Sequence, residues 1–211
     1  GQTRKGEIEA VKKTYNLQAA EAALARADAE RLKGLKEKIE AAIESNPTLK
    51  QFKKQLLLDI TTEGLRIQIV DEKNRPMFAS AKADLQPYTK VILHEIGLAL
   101  NDVPNRISLS GHTDAAPYGS GEFGYSNWEL SADRANASRR ELIYGGMDEK
   151  KVLRIVGLSS SVLFDKDDPL NPINRRISII VMNKKAELSA SQDGGEVDLS
   201  SSTEQALEIK K

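Results

Sequence analysis

Asp114 and Arg134 are the two residues whose types and spacing could most readily do chemistry together. They lie within residues 111–135, GHTDAAPYGSGEFGYSNWELSADRA, where a strand ends in Thr113-Asp114, a glycine-rich loop follows and a helix opens at Asn127. Asn127 and Arg134 are seven residues apart, which places both on one face of the first two helical turns. A strand-end carboxylate then sits near a guanidinium and a helix N-terminus. That arrangement suits a small zwitterion, with Asp114 facing its ammonium and Arg134 with the helix dipole facing its carboxylate. The bland alternative for Asp114 is a turn cap made through local backbone hydrogen bonds. For Asn127 it is membership of the helix-start cap, and for Arg134 a solvated or i,i+4-paired side chain.

Other constellations are weaker. Ser110, His112 and Asp114 have the residue types of a hydrolase trio, but they alternate along one extended strand, with same-face neighbours about 6.6 Å apart. A working triad needs hydrogen bonds near about 3 Å, so the spacing predicts that they do not join. Only His94 and His112 could contribute imidazole, and His94 falls mid-helix without a spaced partner, so no metal site is expected. Gly119, Gly121 and Gly124 match the letters of the dinucleotide fingerprint GxGxxG, but no acidic residue stands at the end of a clear next strand, and no cofactor is expected.

The elements that must position the pair are readable. Leu65, Ile67 and Ile69 alternate with Arg66 and Gln68, as in a strand with one buried face. Leu85, Tyr88, Ile92, Ile96 and Leu100 predict an amphipathic helix with Pro87 in its first turn, and Ile107 and Leu109 lead a strand into Gly111. Ser126 and Glu129 form a capping-box signature for the next helix, which should end near Gly145-Gly146. A short helix near 148–153, a strand near 154–158 and a last strand with Ile177, Ile179 and Val181 follow. Leu49, Phe52, Leu56 and Leu57 suggest another short helix. Alternating strands and helices predict an α/β sandwich.

Residues 7–45 are rich in Ala, Glu, Lys, Leu and Arg, with Leu32, Leu35, Ile39 and Ile43 at helical spacing and Leu17 with Leu24 out of phase. So thin a stripe predicts a helix that needs the main domain or a second copy to stay folded. Residues 186–211 are rich in Ser, Glu, Asp and Gly and read as a disordered tail. The chain thus divides into a helical linker (1–50), a domain (51–185) and a tail (186–211).

Bulk composition narrows the partners. The 211 residues carry 31 basic and 31 acidic side chains, a balance that gives no electrostatic reason to expect nucleic acid. There is no cysteine, which excludes a disulfide framework, a thiol nucleophile and a thiolate metal site. No apolar run approaches the roughly 20 residues of a membrane-spanning helix. Composition alone favours a cytosolic protein.

The pattern His112-Thr113-Asp114, then Asn127 through Ala135 as N-x-x-L-S-x-x-R-A, then Asn174-Arg175-Arg176-Ile177-Ser178-Ile179 resembles OmpA-like peptidoglycan-binding domains over roughly residues 52–183. Trp128, the loop APYGSGEFGYS and the segment FDKDDPLNPINRR look like the motility protein B subgroup, the wall anchors of flagellar stators. The resemblance implies a mixed sheet with helices packed on one face, preceded by a long linker helix. It implies a non-enzymatic role, with Asp114 receiving the ammonium of diaminopimelate in the stem peptide and Arg134 its carboxylate. Thr113 and Asn127 are further contact candidates, Leu130 and Ser131 orient the helix, and one of Arg175 and Arg176 braces the site, since strand alternation sends them to opposite faces. The twelve residues between Asp114 and Asn127 are more than in many relatives and bring Tyr118, Phe123 and Tyr125 to the lip.

For partners, the resemblance implies peptidoglycan, a second copy in a homodimer, a MotA-like membrane protein of the stator and flagellar periplasmic ring proteins. It implies the periplasmic part of a single-pass inner-membrane protein whose ion-channel helix is not in this sequence. Two alternatives stay open: another OmpA-like anchor such as a peptidoglycan-associated lipoprotein, and a wall hydrolase.

Overall fold

Alternating apolar positions on five strands meet across one sheet and give the protein its core. The computed structural model describes residues 2–120 and 123–192. Its strands are β1 (Leu56–Thr61), β2 (Gly64–Val70), β3 (Ile107–His112), β4 (Val152–Gly157) and β5 (Arg176–Met182), ordered β1-β2-β5-β3-β4. Only β3 and β4 run parallel; the other neighbours are antiparallel. Register sets the layers: Ile67, Ile179 and Leu109 stand in one row across the central strands, and Leu65, Val181 and Ile107 in the next. All six are completely buried.

Three long helices contribute to that core, α1 (Gln2–Ser45), α3 (Pro87–Leu100) and α4 (Asn127–Tyr144), and the short α2 (Pro47–Lys50) adds Leu49. Proline at the start of α3 costs no hydrogen bond, because the first amides of a helix have no internal acceptor. The helix α4 begins with the expected capping box, in which Ser126 accepts from Trp128 N and its own amide donates to Glu129. It stops at Gly145, and Gly146 follows at φ +111°, a left-handed conformation that glycine adopts without strain.

Exposure along α1 changes abruptly at Asp28. Ile8, Val11, Leu17 and Leu24 are exposed, whereas Leu32, Leu35, Ile39 and Ile43 are buried in the same core as the sheet. The stripe that needed a partner finds the main domain, while the out-of-phase leucines find none among the described residues. Asp28 fastens the junction: its carboxylate accepts from Asn105 (2.8 Å) and from the backbone of Lys184 (2.8 Å). Lys38 pairs with Asp102 further along. Leu35→Ala should therefore cost about 2–5 kcal/mol, as for any fully buried leucine. Chemical denaturation of the two proteins reads that difference, and an unchanged midpoint would mean that α1 is not part of the folded unit.

Three expectations need correction. Leu56 and Leu57 belong to the edge strand β1, not to a short helix; helix α2 spans only Pro47–Lys50 before a 3-10 turn at Lys53–Gln55. The spacing of Leu49, Phe52 and Leu56 imitates a helix, but Gln55 ends the turn by donating to the carbonyls of Val70 and Arg75. Residues 148–153 form a single 3-10 turn (Glu149–Lys151) running straight into β4. Helix α5 (Lys184–Ser191) extends past residue 186, capped by Asn183, so the segment read as a tail starts in ordered structure; residues 193–211 lie outside the described residues.

Candidate functional site

The C-terminal ends of β2 and β3, the N-terminal half of α4 and the loop following β2 converge on a cleft of about 410 Å³. Asp71, Phe78, Thr113, Asp114, Asn127, Leu130, Arg134 and Arg175 all line it. The close approach of α4 to β3 sets its depth. At Gly111 a Cβ would fall 2.0 Å from the Ser131 carbonyl oxygen, so only glycine lets α4 lie this near the strand. Ser131 completes the junction without lining the cleft: its hydroxyl donates to the Trp128 carbonyl and accepts from Ser159 N.

Asp114 sits just past the end of β3. One carboxylate oxygen accepts from Ala116 N at 3.0 Å, the local turn bond expected of a strand-end aspartate. The other accepts from Arg175 Nη1 at 2.8 Å. Thr113 is buried, lines the cleft, and donates its hydroxyl to the Asp114 carbonyl at 2.9 Å. Asn127 donates to the Ala116 carbonyl and so holds the loop that carries Asp114.

Arg134 is only 6% exposed. Its Nε donates to the Lys82 carbonyl at 2.9 Å and its guanidinium lies 4.8 Å from the centre of the Phe78 ring. Among the described residues no carboxylate pairs with it, and burial pushes its pKa below the ordinary arginine value despite the field of Asp71. Burying a cation without a paired carboxylate is costly, and here the Phe78 ring and the Lys82 carbonyl are its direct partners.

Arg175 and Arg176 part as strand alternation requires. Arg175 reaches the cleft and bridges Asp114 and Asp71, with 2.8 Å to each. Burial opposes its charge, but the two carboxylates hold its pKa above the usual value. Arg176 points to the other face, where it donates to Gln68 (3.0 Å) and the Val162 carbonyl (3.0 Å) and contributes nothing to the cleft. Burial and the nearby Arg66 lower its pKa to about 10.

Sequence reasoning missed Asp71, Phe78 and the segment around Ala81 and Lys82. Asp71 directly follows β2, and Asp114 lies two residues beyond β3, so both are carboxylates just past strand ends. It is 5% exposed, accepts from Met77 N at 2.7 Å, and burial raises its pKa against the opposing effect of Arg175. Of the lip aromatics, Tyr118 donates to the Ala81 carbonyl and packs 5.2 Å from Tyr125, which donates to Asp133. Phe123 is fully exposed, and the expectation for Gly121 falls outside the described residues.

The serine–histidine expectation is corrected. Ser110 Oγ and His112 Nε2 lie 3.2 Å apart, because same-face side chains lean towards each other although their backbones do not. Asp114 plays no part, since its carboxylate is engaged by Arg175 and Ala116. Burial, with the charge of Arg176, drives the His112 pKa down to about 4, so the imidazole is neutral at physiological pH. The unfolded chain, with an ordinary histidine pKa near about 6.5, binds the proton that the fold rejects. The stability contributed by neutral His112 is therefore complete above about pH 6.5 and is lost as pH falls towards 4, roughly 3 kcal/mol over that interval. His112→Gln should flatten that part of the stability–pH curve; an unchanged slope would contradict this.

Larger grooves lack such convergence. The one between α1 and β1, about 640 Å³, is lined by Glu40, Glu44, Lys53 and leucines, and Glu44 is already paired with Lys50 and Lys53. Among the described residues no group of three or more His, Asp or Glu side chains could hold a metal.

The cleft lies largely within a recognisable unit. Residues 77–176 match the OmpA family. The chain carries an OmpA-family domain. Beyond it, 171 residues are 52% identical to motility protein B of Escherichia coli K12, covering 81% of this chain and 56% of that protein. Motility protein B of Bacillus subtilis is 32% identical over 163 residues, 76% of this chain and 59% of that one. The chain thus spans somewhat more than half the length of the curated relatives it matches. A MotB-like protein from Desulfovibrio vulgaris shares the fold with a TM-score of 0.63 at 16% identity, covering 76% of this chain and 99% of that structure. The periplasmic domain of Helicobacter pylori MotB shares it at 0.53 and 20% identity, covering 63% and 92%. In the OmpA-family domain, Asp114, Asn127, Arg134 and Arg175 line the cleft, while Asp71 lies just before the matched residues.

Proposed function

We propose that this chain binds peptidoglycan without covalent chemistry, recognising the zwitterionic end of diaminopimelate in the stem peptide, and thereby anchors a flagellar stator to the cell wall. The observation that carries this reading is the buried Arg134 guanidinium, free of any carboxylate among the described residues, in one cleft with a carboxylate that still has acceptor capacity. Arg134 takes the ligand carboxylate and Asp114 its ammonium, with Asn127 holding the Ala116 carbonyl at the rim. The likeness to motility protein B of Escherichia coli supports the stator role and a periplasmic location for the domain.

Two ionic contacts at a cleft open to water give an affinity on the order of micromolar to millimolar for one stem peptide. Anchoring against torque then rests on many engaged sites, and a homodimer with two pockets supplies avidity. A MotA-like membrane partner completes the stator in this reading.

Co-sedimentation with purified sacculi tests it. The protein should be retained by sacculi whose stem peptides carry diaminopimelate and not by those carrying lysine at that position, because lysine lacks the second carboxylate. Equal retention by both, or by neither, would reject zwitterion recognition, and release of sugar or peptide would point instead to hydrolysis.

A further inference from the structure

The cleft contains two guanidinium groups and two carboxylates, and they are not arranged as two separate ion pairs. Arg175 lies between Asp71 and Asp114, donating from Nε to Asp71 and from Nη1 to Asp114, each at 2.8 Å. Arg134 forms no ion pair among the described residues. One positive charge between two negative ones leaves the Asp71–Arg175–Asp114 trio with a net negative charge, while Arg134 keeps an uncompensated positive charge across the cleft. The site is therefore polarised although its charges balance.

We infer that Asp71 is a specificity-determining residue which, by sharing Arg175, keeps Asp114 free to accept a ligand ammonium. This rests on the reading of the cleft as a zwitterion site. Asp71 itself need not touch the ligand; it is the most deeply buried of the acids here, and its other oxygen accepts from Met77 N at 2.7 Å. That bond aims Asp71 Oδ2 at Arg175 Nε. A guanidinium offers five donors and, without a second acceptor, settles bidentately on the carboxylate that remains. Removing the Asp71 charge would thus hand Arg175 entirely to Asp114, neutralise it, and leave the cleft with an excess positive charge. Such a cleft still accepts a carboxylate through Arg134 but no longer attracts an ammonium.

The second carboxylate also ties recognition to the segment between β2 and α3. Asp71 holds Met77 N, Phe78 lies against Arg134, and the Lys82 carbonyl accepts from Arg134. The same short stretch of chain therefore positions both poles of the site.

Calorimetric titration with two probes tests the inference: the tripeptide L-Ala-D-Glu-meso-diaminopimelate, and the same tripeptide acetylated on the side-chain amino group of diaminopimelate. Wild type should prefer the first. Asp71→Asn, which retains an acceptor for Met77 N, should weaken binding of the free-amine probe about tenfold or more and change binding of the acetylated probe by less than about twofold. Combining Asp71→Asn with Arg175→Gln removes the surplus cation together with its partner and should bring free-amine affinity back to within about threefold of wild type. The double variant carries no unpaired buried charge from this pair, so it reports on the inference even if Asp71→Asn alone fails to fold. Equal weakening of both probes without recovery in the double variant would make Asp71 a purely structural residue and overturn the inference. So would Asp71→Asn affinity indistinguishable from wild type. If wild type itself does not distinguish the probes, the zwitterion reading fails, and this inference with it.

Discussion

Asp114→Ala and Arg134→Ala should each abolish retention on diaminopimelate-type sacculi under conditions where the wild-type protein sediments with them. Each removes one charge-assisted contact to the ligand, about 1.5–3 kcal/mol or roughly tenfold to a hundredfold in affinity for a single stem peptide. A site that starts near micromolar to millimolar has no reserve to absorb such a loss. The two variants should fail for different reasons. Without Asp114, Arg175 keeps Asp71 as its partner and the fold persists, but the ammonium has no acceptor. Without Arg134, the cleft loses its anion partner and also the bond to the Lys82 carbonyl. Arg134→Lys separates these effects: it retains a positive charge but not the planar fork that matches a carboxylate, and should bind more weakly than wild type while folding as well. Full retention by either alanine variant would mean that the wall is gripped elsewhere.

Gly111→Ala should be among the most damaging single methyl additions in the protein, and the one that strikes the site directly. Its Cβ would fall 2.0 Å from the Ser131 carbonyl oxygen, which is backbone inside α4 and has no rotamer through which to escape. The whole helix must move away from β3, breaking the close fit that Gly157 repeats beneath Ala132. A cost above about 3 kcal/mol is expected, on the order of a 10 °C fall in melting temperature for a chain of this size. Because α4 carries Arg134 and β3 delivers Asp114, the same shift widens the distance between the two poles, so ligand affinity should fall with stability. Ala135→Gly, on the same helix, offers a comparison that removes a methyl group without forcing the helix off the sheet. An unchanged melting temperature for Gly111→Ala would contradict the packing described here.

Much of this was legible because the relevant signals are local. The alternation of Leu65, Ile67 and Ile69 is a property of one strand, and the Ser126–Glu129 capping box is a property of four residues; strand and cap both form, although Gln68 on the opposite face of β2 is buried as well. Asp114 and Arg134 were readable because a strand end and a helix start lie close in sequence and face the same way. The stripe from Leu32 to Ile43 announced a buried face, although spacing alone could not choose between the domain and a second copy. β1 was misread because a short apolar run following Leu49 and Phe52 satisfies helical and extended patterns equally well, and only its pairing with β2 decides.

The part of the site that was not legible is the part built by long-range pairing. Asp71 and Arg175 are separated by 104 residues and meet only because β2 and β5 are hydrogen-bonded neighbours, with Val70 opposite Arg176. No periodicity in either strand carries that information. Strand alternation did predict that Arg175 and Arg176 part company, but not which of them faces the cleft, because that depends on the register between strands. The hydrogen bond between Ser110 and His112 was misjudged for a related reason: backbone spacing along a strand sets a limit on Cα positions, not on where two side chains lean.

The most direct test of the central claim is an NMR titration of the protein with L-Ala-D-Glu-meso-diaminopimelate, following backbone amide shifts. Saturable changes confined to residues 113–116, the 127–134 turns of α4 and the segment around Lys82 would place the ligand between Asp114 and Arg134, as proposed. Changes centred on the α1–β1 groove, or none at millimolar peptide, would contradict it.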